Sequence, residues 1–219
     1  GTYLAWLDQD DLTLTNRLAT QVAYLDANPE IAVCGSWTQM RYESHDGSVT
    51  MTTERLPVTN NQIRATMVFL NPIACNTVMM RRSALAERQL MFREQFGNTL
   101  DYDMWSNASD TMRVCNLPVA LAAYRVHGSQ TSQGAALDLM NDQALQVQID
   151  LIERALGIEM NDEDRRIHRS ATIAPLAMSN LDQLEDIARW FGRLKTANDS
   201  TGSFERMEFN QALARQWTT

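Results

Sequence analysis

Tyr3-Leu4-Ala5-Trp6-Leu7-Asp8-Gln9-Asp10-Asp11 joins a short apolar run to three carboxylates. The run from Tyr3 to Leu7 predicts a buried strand, and the acids follow where that strand must stop. Carboxylates this close repel one another, and a divalent cation is the simplest compensation because hard metals prefer oxygen ligands. The alternative is a solvated acidic turn before a helix, since acids are favoured near a helix N-terminus. The rest of the chain decides between a metal site and an ordinary turn.

The composition limits the classes of function. The chain has 219 residues, of which 44% are hydrophobic and 21% are charged, as in an ordinary globular protein. Its net charge of −8 argues against nonspecific nucleic-acid binding, which requires a basic surface. No apolar run approaches the roughly 18 residues of a membrane span. We therefore expect no nucleic-acid partner, whereas small anionic ligands remain compatible with the charge.

Cysteine and histidine are too few and too scattered to form a soft metal site. The three cysteines, Cys34, Cys75 and Cys115, are far apart, which favours small buried thiols in a reducing compartment. Only three histidines occur in the whole chain, so a metal site built mainly of histidine is not expected.

The first part of the chain alternates helix and strand patterns. Leu18, Val22 and Leu25 recur at helical spacing after the acids, and Asp46-Gly47 predicts a turn between two paired strands. A later helix carries Asp101 in its first turn. Two further strands are predicted over 114–117 and 120–126, interrupted by a proline. These patterns predict a mixed α/β fold.

The pattern changes near residue 134. Helical spacing recurs in four segments, 137–156, 161–168, 181–194 and 204–217, without a convincing strand. We therefore predict an α/β domain over residues 1–133 and an all-α appendage over residues 134–219. In the α/β part, the acids at 8–11, Asp101 and His127 all fall at the ends of elements, where binding groups gather in open α/β sheets.

Three separated segments match one family in the right order. The first is Gly1 to Asp11 with Asn16-Arg17-Leu18. The second is Asn71-Pro72-Ile73 with Thr77-Val78-Met79-Met80-Arg81-Arg82-Ser83. The third is Asp101-Tyr102-Asp103-Met104-Trp105, then Asn116-Leu117-Pro118, then Tyr124-Arg125-Val126-His127-Gly128-Ser129-Gln130-Thr131-Ser132.

With these blocks the chain resembles the family 2 glycosyltransferases, which are inverting enzymes with the GT-A fold. The resemblance covers roughly residues 1–133, and the helical tail is similar to tails on bacterial members that act in surface-polysaccharide synthesis. It implies a cytoplasmic enzyme that moves a sugar from a nucleotide-diphosphate sugar to a glycan or lipid-linked acceptor. A lipid-linked acceptor implies peripheral association with the inner membrane face. The oligomeric state is not indicated.

The resemblance also implies roles for individual residues. Asp10 and Asp8 would hold Mn²⁺ or Mg²⁺ in the Asp-x-Asp motif, with Asp8 also near the donor. Asp11 would bind donor or cap the next helix, and Asp101 would be the catalytic base that takes the proton of the acceptor hydroxyl. The loop after the last strand would supply one metal ligand, His127, and three donor-binding residues, Arg125, Ser129 and Ser132.

The sequence departs from the family pattern at several points. Leu100 stands where the family usually has Glu, and Asn107 stands where Arg is common. The family's opening strands and nucleotide-binding segments precede the position of Gly1. We therefore expect that this chain alone does not turn over donor and that its sheet has an exposed edge.

Two other classes of function stay open. The chain could be a noncatalytic remnant that binds sugar or nucleotide, which Leu100 and the missing front favour. It could also be a metal-dependent nucleotidyltransferase or phosphohydrolase, because these enzymes use clustered Asp residues as well.

Overall fold

The computed structural model describes residues 1–14, 16–44, 46–126, 135–173 and 181–217. Strands and helices alternate in the first part, and helices alone follow from Ala135 to Gln216 within these ranges. The predicted mixed α/β fold with an all-helical C-terminal region is therefore confirmed. The strands are β1 (Tyr3–Ala5), β2 (Leu12–Thr13), β3 (Ile31–Glu43), β4 (Val49–Glu54), β5 (Met79–Arg81) and β6 (Arg113–Val126). The helices are α1 (Arg17–Ala27), α2 (Asn60–Thr66), α3 (Arg82–Glu87), α4 (Leu100–Thr111), α5 (Ala135–Leu156), α6 (Asp162–Thr172), α7 (Leu181–Thr201) and α8 (Arg206–Gln216).

One sheet organises the α/β part. Its strand order is β1-β5-β3-β6-β2. β4 pairs with the later part of β3, after the part that pairs with β5. The two long central strands, β3 and β6, run parallel, whereas every other described pair is antiparallel. The sheet therefore has two long strands at its centre and short strands at its edges.

The prediction of a buried first strand is wrong. β1 covers only Tyr3–Ala5 and lies at one end of the strand order. Leu4 and Leu7 are 44% and 43% exposed, and β5 is the one described strand that pairs with β1. The apolar run thus forms an edge strand, although the acids still follow its end.

The two strands predicted around Pro118 form one strand instead. Ser36 pairs with Leu117 and Trp37 pairs with Ala120, so Pro118 and Val119 have no partner on β3. This bulge accommodates a proline, which has no N–H for a ladder hydrogen bond, without ending the strand.

Local sequence signals mark three of the helix ends. Thr59 begins α2 with a capping box, in which its side chain accepts from the backbone N–H of Gln62. Asn161 begins α6 in the same way. Gly157 follows α5 with φ of +66°, a backbone conformation that favours glycine.

The helical region packs directly onto the α/β part. Phe69 is fully buried, and its ring contacts Phe191 on α7 and Phe209 on α8. Gln148 on α5 donates to the backbone oxygen of Phe69 at 2.8 Å. One hydrophobic cluster therefore includes residues from both regions, and the division at residue 133 stays a prediction. Among the described helices, none has the length and apolar character needed to cross a membrane.

Candidate active site

A cleft of about 970 Å³ brings together acids that are far apart in the sequence. Asp8, Asp10 and Asp101 all line it. Asp8 and Asp10 come from the loop after β1, and Asp101 comes from the first turn of α4. The structure thus gives the Asp-x-Asp motif and the predicted base one shared cavity.

Asp8 is oriented by the side chain of Trp6. The indole Nε1 of Trp6 donates to Asp8 Oδ1 at 2.9 Å, and the indole ring lies 5.3 Å from the ring of Phe92. The backbone N–H of Asp11 donates to the backbone oxygen of Asp8 at 3.2 Å. A side-chain contact and a tight turn therefore both restrict the Asp8 carboxylate.

A buried arginine holds the backbone beneath this loop. Arg17 on α1 is 2% exposed, and its guanidinium donates to the backbone oxygens of Trp6 and Val78. Its Nε donates to Gln21, whose amide donates to the backbone oxygens of Cys34 and Thr77 at 2.8 Å each. Buried polar groups need such partners, and here they connect α1 to three segments that surround the cleft.

Asp11 has a different environment from Asp8 and Asp10. It is buried, and its carboxylate accepts from Asn76 Nδ2 and from the backbone N–H of Arg125 at 3.0 Å. Burial raises the pKa of Asp11, while these two hydrogen bonds oppose that rise. Asp11 does not cap α1, because the N-cap residue is Asn16. The geometry makes Asp11 a link between β6 and the Asn76 loop, and donor binding by Asp11 stays a prediction.

One carboxylate oxygen of Asp101 is held by a hydrogen bond. Asn71 Nδ2 donates to Asp101 Oδ2 at 2.9 Å. Burial is the main cause that raises the pKa of Asp101, and hydrogen bonds from the Tyr102 backbone and from Asn71 oppose it. A carboxyl group with a raised pKa is suited to accept a proton near neutral pH.

Cys75 lies between the two acidic elements. It lines the cleft and is only half-buried, so the prediction of a buried thiol holds for Cys34 and Cys115 but not for Cys75. Burial and the nearby carboxylates of Asp101 and Asp8 raise the pKa of the Cys75 thiol. We therefore expect this thiol to stay protonated and poorly nucleophilic.

The side chain of Arg125 lies away from the cleft lining. Its Nε is 3.6 Å from Glu43, which also pairs with Arg41 at 3.2 Å. The neighbouring Tyr124 lines the cleft, and successive strand residues point to opposite faces of a sheet. Arg125 is therefore not part of the described cleft lining, and its donor contact stays a prediction. The predictions for His127, Ser129 and Ser132 lie outside the described residues.

The two departures from the family pattern on α4 have distinct surroundings. Leu100 lines the cleft beside Asp101. Asn107 lies further along α4, where its amide donates to the backbone oxygen and to Oδ1 of Asp103 at 2.8 and 3.1 Å. Asp103 also pairs with Arg93. Leu100 therefore replaces the family's usual Glu in the lining of the cleft. Asn107 belongs to a separate hydrogen-bond network with Asp103.

Residue-by-residue interpretation of the sequence missed several polar groups at or beside the cleft, Asn71 and Glu54 among them. Asn71 belongs to the Asn-Pro-Ile block, but only the fold reveals its contact with Asp101. Glu54, at the end of β4, lines the cleft. A glutamate in an exposed edge strand carries no local signal of this position, whereas the asparagine before a proline did mark a turn.

The acidic loop fits a cation only in part. Asp8 and Asp10 offer the carboxylate oxygens that Mg²⁺ and Mn²⁺ prefer. Within the described ranges, no three His, Cys, Asp or Glu side chains are grouped so that they could hold a metal. The donor set therefore suits a cation shared with a diphosphate and water, as Mg²⁺ often is, rather than one enclosed by protein.

Comparisons with known proteins point in the same direction as this geometry. An uncharacterized glycosyltransferase of Haemophilus influenzae is 34% identical over 137 residues, which are 60% of this chain and 42% of that protein. The amylovoran biosynthesis glycosyltransferase AmsE of Erwinia amylovora is 28% identical over 127 residues, which are 56% of this chain and 44% of AmsE. No family model matches the chain.

A solved structure has a similar fold. The crystal structure of Staphylococcus aureus TarS residues 1–349 in complex with UDP-GlcNAc superimposes with a TM-score of 0.50 at 15% identity, and it covers 90% of this chain and 58% of that one. At this identity the likeness shows the fold alone. The chain spans about two-fifths of the length of the two curated relatives. The sequence comparison thus leads to proteins named as glycosyltransferases, and the structural comparison shows a shared fold.

Proposed function

We propose that this chain forms part of an inverting, metal-assisted glycosyltransferase of the family 2 type. It would transfer a sugar from a nucleotide-diphosphate sugar to a glycan or lipid-linked acceptor in bacterial surface-polysaccharide synthesis. The observation that carries the proposal is the single cleft lined by Asp8, Asp10 and Asp101. The relatives named as glycosyltransferases support it independently.

The chemistry assigns one role to each side of the cleft. The acceptor oxygen forms a bond to the anomeric carbon as the bond from that carbon to the diphosphate oxygen breaks. Asp101 accepts the proton of the acceptor hydroxyl, and the nucleoside diphosphate leaves with the electron pair. Attack from the face opposite the leaving group inverts the anomeric configuration. The raised pKa of Asp101 makes its carboxylate a better base for this step.

Asp8 and Asp10 serve the leaving group. The excess negative charge near them would repel a free diphosphate, so these residues need a positive partner. A divalent cation bound by the two carboxylates would supply that charge and would stabilise the leaving diphosphate. Trp6 holds the Asp8 carboxylate in place for this interaction.

Product analysis provides the test. The full protein and this 219-residue chain would each be incubated with Mn²⁺, a cell-derived glycan and lipid extract, and five donors. The donors are UDP-GlcNAc, UDP-glucose, UDP-galactose, GDP-mannose and dTDP-rhamnose. Mass spectrometry would then follow the sugar-linked product and the released diphosphate. We expect metal-dependent transfer by the full protein and none by the 219-residue chain alone, and we expect Asp101→Asn to lower the transfer by about 10²- to 10⁴-fold.

A matched control lies on the same helix. Asp110→Asn also removes a carboxylate from α4, but Asp110 pairs with Arg154 outside the cleft. This variant should keep nearly wild-type transfer. Transfer that persists in Asp101→Asn would assign the base elsewhere, and a product of free phosphate or a nucleotidylated acceptor would favour the phosphohydrolase or nucleotidyltransferase instead. Tight donor binding without any turnover by the full protein would favour the noncatalytic remnant.

The position of the acceptor determines where the enzyme works. A lipid-linked acceptor would bring the protein to the inner face of the membrane, where the nucleotide sugar is also supplied. Sedimentation of the full protein with vesicles that contain the lipid extract would test this location. A protein that transfers sugar yet never sediments with these vesicles would exclude it.

A further inference from the structure

The amide of Asn71 is held at both of its ends. Its Nδ2 donates to Asp101 Oδ2 at 2.9 Å, and its Oδ1 accepts from the backbone N–H of Ile73 at 3.2 Å. The second bond is an Asx turn, which asparagine forms readily with the backbone two residues later. Only one orientation of the amide satisfies both bonds, so the donor must face Asp101.

The turn that carries Asn71 is itself fixed from the sheet. Asn116 on β6 is 1% exposed, and its Nδ2 donates to the backbone oxygens of Pro72 and Pro57 at 2.9 and 2.7 Å. Asn116 fits there because its neighbour on β3 is Gly35, where a Cβ atom would lie 2.2 Å from Asn116 Oδ1. A continuous set of contacts therefore leads from the centre of the sheet to Asp101.

Two opposing influences act on the Asp101 carboxylate. Burial favours its protonated form, whereas the Asn71 amide and the Tyr102 backbone N–H favour its charged form. The Tyr102 N–H belongs to the same helix as Asp101, whereas the Asn71 amide comes from outside that helix. The amide therefore fixes the direction of the carboxylate relative to the cleft. Removing the amide would free the carboxylate to rotate. It would also remove a hydrogen bond that favours the charged form, so the pKa of Asp101 would rise.

We propose that Asn71 is a positioning residue for Asp101, and that Asn116 holds Asn71 in place through the carbonyl group of Pro72. The inference rests on the proposed role of Asp101 as the base of sugar transfer. Asn71 itself does not touch the reacting atoms. It keeps one carboxylate oxygen occupied and so presents the carboxylate to the acceptor hydroxyl in one orientation.

The chain contains a natural control for this contact. Asn107 Nδ2 donates to Asp103 Oδ1 at 3.1 Å, so a second Asn–Asp pair involves the same helix α4. Asp103 is buried and pairs with Arg93. Loss of an amide at Asn107 should therefore affect Asp103 without affecting the base.

The first test measures Asp101 directly by ¹³C NMR of its carboxyl carbon, with Asp101→Asn used to assign the signal. Asn71→Ser keeps a hydroxyl that can maintain the turn but is too short to reach Asp101. We expect the pKa of Asp101 to rise by about 0.5 or more in Asn71→Ser and to stay unchanged in Asn107→Ser. An unmoved pKa in Asn71→Ser would overturn the inference.

A second variant covers the case in which Asn71→Ser does not fold. Asn71→Asp keeps the side-chain length and the acceptor for Ile73, but it replaces the donor by a like charge. The pKa of Asp101 should then rise further than in Asn71→Ser. A decrease or no change in Asn71→Asp would contradict the contact.

Kinetics of the full protein complete the test. With whichever of the five donors is transferred, Asn71→Ser should lower kcat by about tenfold and leave the donor KM within about twofold. The acidic limb of its pH profile should move to higher pH, whereas that of Asn107→Ser should not. Transfer with an unmoved limb would overturn the role of Asn71 alone. Absence of transfer by the wild-type protein would overturn the proposed function, and the role of Asn71 with it.

Discussion

Burial favours the neutral form of an ionisable group both in the cleft and in the helical core, but only the cleft leaves such a group in contact with an open cavity. In the cleft, Asp101 is desolvated but still lines an open cavity, and an amide holds it ready for contact. In the helical core, His168 on α6 is fully buried, and its Nδ1 accepts from Trp190 Nε1 at 3.0 Å. Burial raises the pKa of Asp101 and lowers the pKa of His168 to about 4. The cleft thus keeps a group that can exchange protons, whereas the core keeps one that stays neutral.

The largest expected difference between the two regions is in side-chain packing. Phe69 is fully buried, and its ring contacts Phe191 and Phe209. Phe69→Ala should lower the free energy of unfolding by about 3–5 kcal/mol because it leaves a cavity where the two regions meet. Urea unfolding followed by tryptophan fluorescence would measure this loss.

The cleft offers a matched aromatic residue. Trp6 is 37% exposed, and its indole holds Asp8. Trp6→Phe should cost about 1 kcal/mol or less of stability, but it should weaken metal-dependent donor binding in titration calorimetry. Equal stability losses in Phe69→Ala and Trp6→Phe would contradict the view that Phe69 belongs to the core and Trp6 to a binding surface.

The second prediction concerns the pH dependence of stability. The pKa of His168 falls from an ordinary 6.5 to about 4 in the folded protein. The unfolded chain therefore binds the proton more readily, and stability should decrease by about 3 kcal/mol as pH falls from 6.5 to 4. Well above pH 6.5 the histidine is neutral in both states and should have no effect on this slope.

Replacement of the histidine isolates its contribution from that of the carboxylates. His168→Gln keeps an acceptor for Trp190 Nε1 but cannot titrate. Its stability, measured by urea unfolding at several pH values, should fall less steeply between pH 6.5 and 4 than that of the wild type. Parallel curves for the two proteins would show that His168 is not buried in its neutral form.

The third prediction compares two glycines. A Cβ atom on Gly35 would lie 2.2 Å from Asn116 Oδ1, so Gly35→Ala should displace Asn116 and cost about 1–3 kcal/mol. A Cβ atom on Gly192, within α7, would meet no atom within 4 Å, so Gly192→Ala should stabilise the protein by about 1 kcal/mol. Thermal unfolding of both variants would show whether the backbone of the sheet is more tightly packed near the cleft than that of the outer helix.

The sequence predicted the site better where neighbours along the chain define it than where the sheet defines it. The acids after β1 and the position of Asp101 in the first turn of α4 depend on local patterns. The direction of Arg125 does not. Two register shifts lie between Ser36 and Thr38 on β3, and a single-residue slip moves every later side chain to the other face.

The sequence also did not predict contacts between segments that are far apart along the chain. Asn71 and Asp101 meet because α4 and the turn after α2 pack side by side, and no spacing along the chain encodes that approach. The exposure of β1 likewise depends on which strands flank it rather than on its own apolar residues. Local patterns therefore predict elements and motifs, whereas orientation within the cleft requires the assembled sheet.

The smallest expected effect on stability is a gain, at the residue proposed as the base. The pKa of Asp101 is raised in the folded protein, so its ionisation at pH 7 opposes folding. Asp101→Asn removes this charge and keeps an oxygen that can accept from Asn71, so the variant should unfold at a slightly higher temperature at pH 7 while it loses transfer. Below pH 3.8, the ordinary pKa of Asp, the wild-type carboxyl is protonated in both states and the gain should disappear. A lower unfolding temperature for Asp101→Asn at pH 7 would mean that the charged carboxylate stabilises the fold, and that Asp101 has a structural role rather than that of a base kept ready for its substrate.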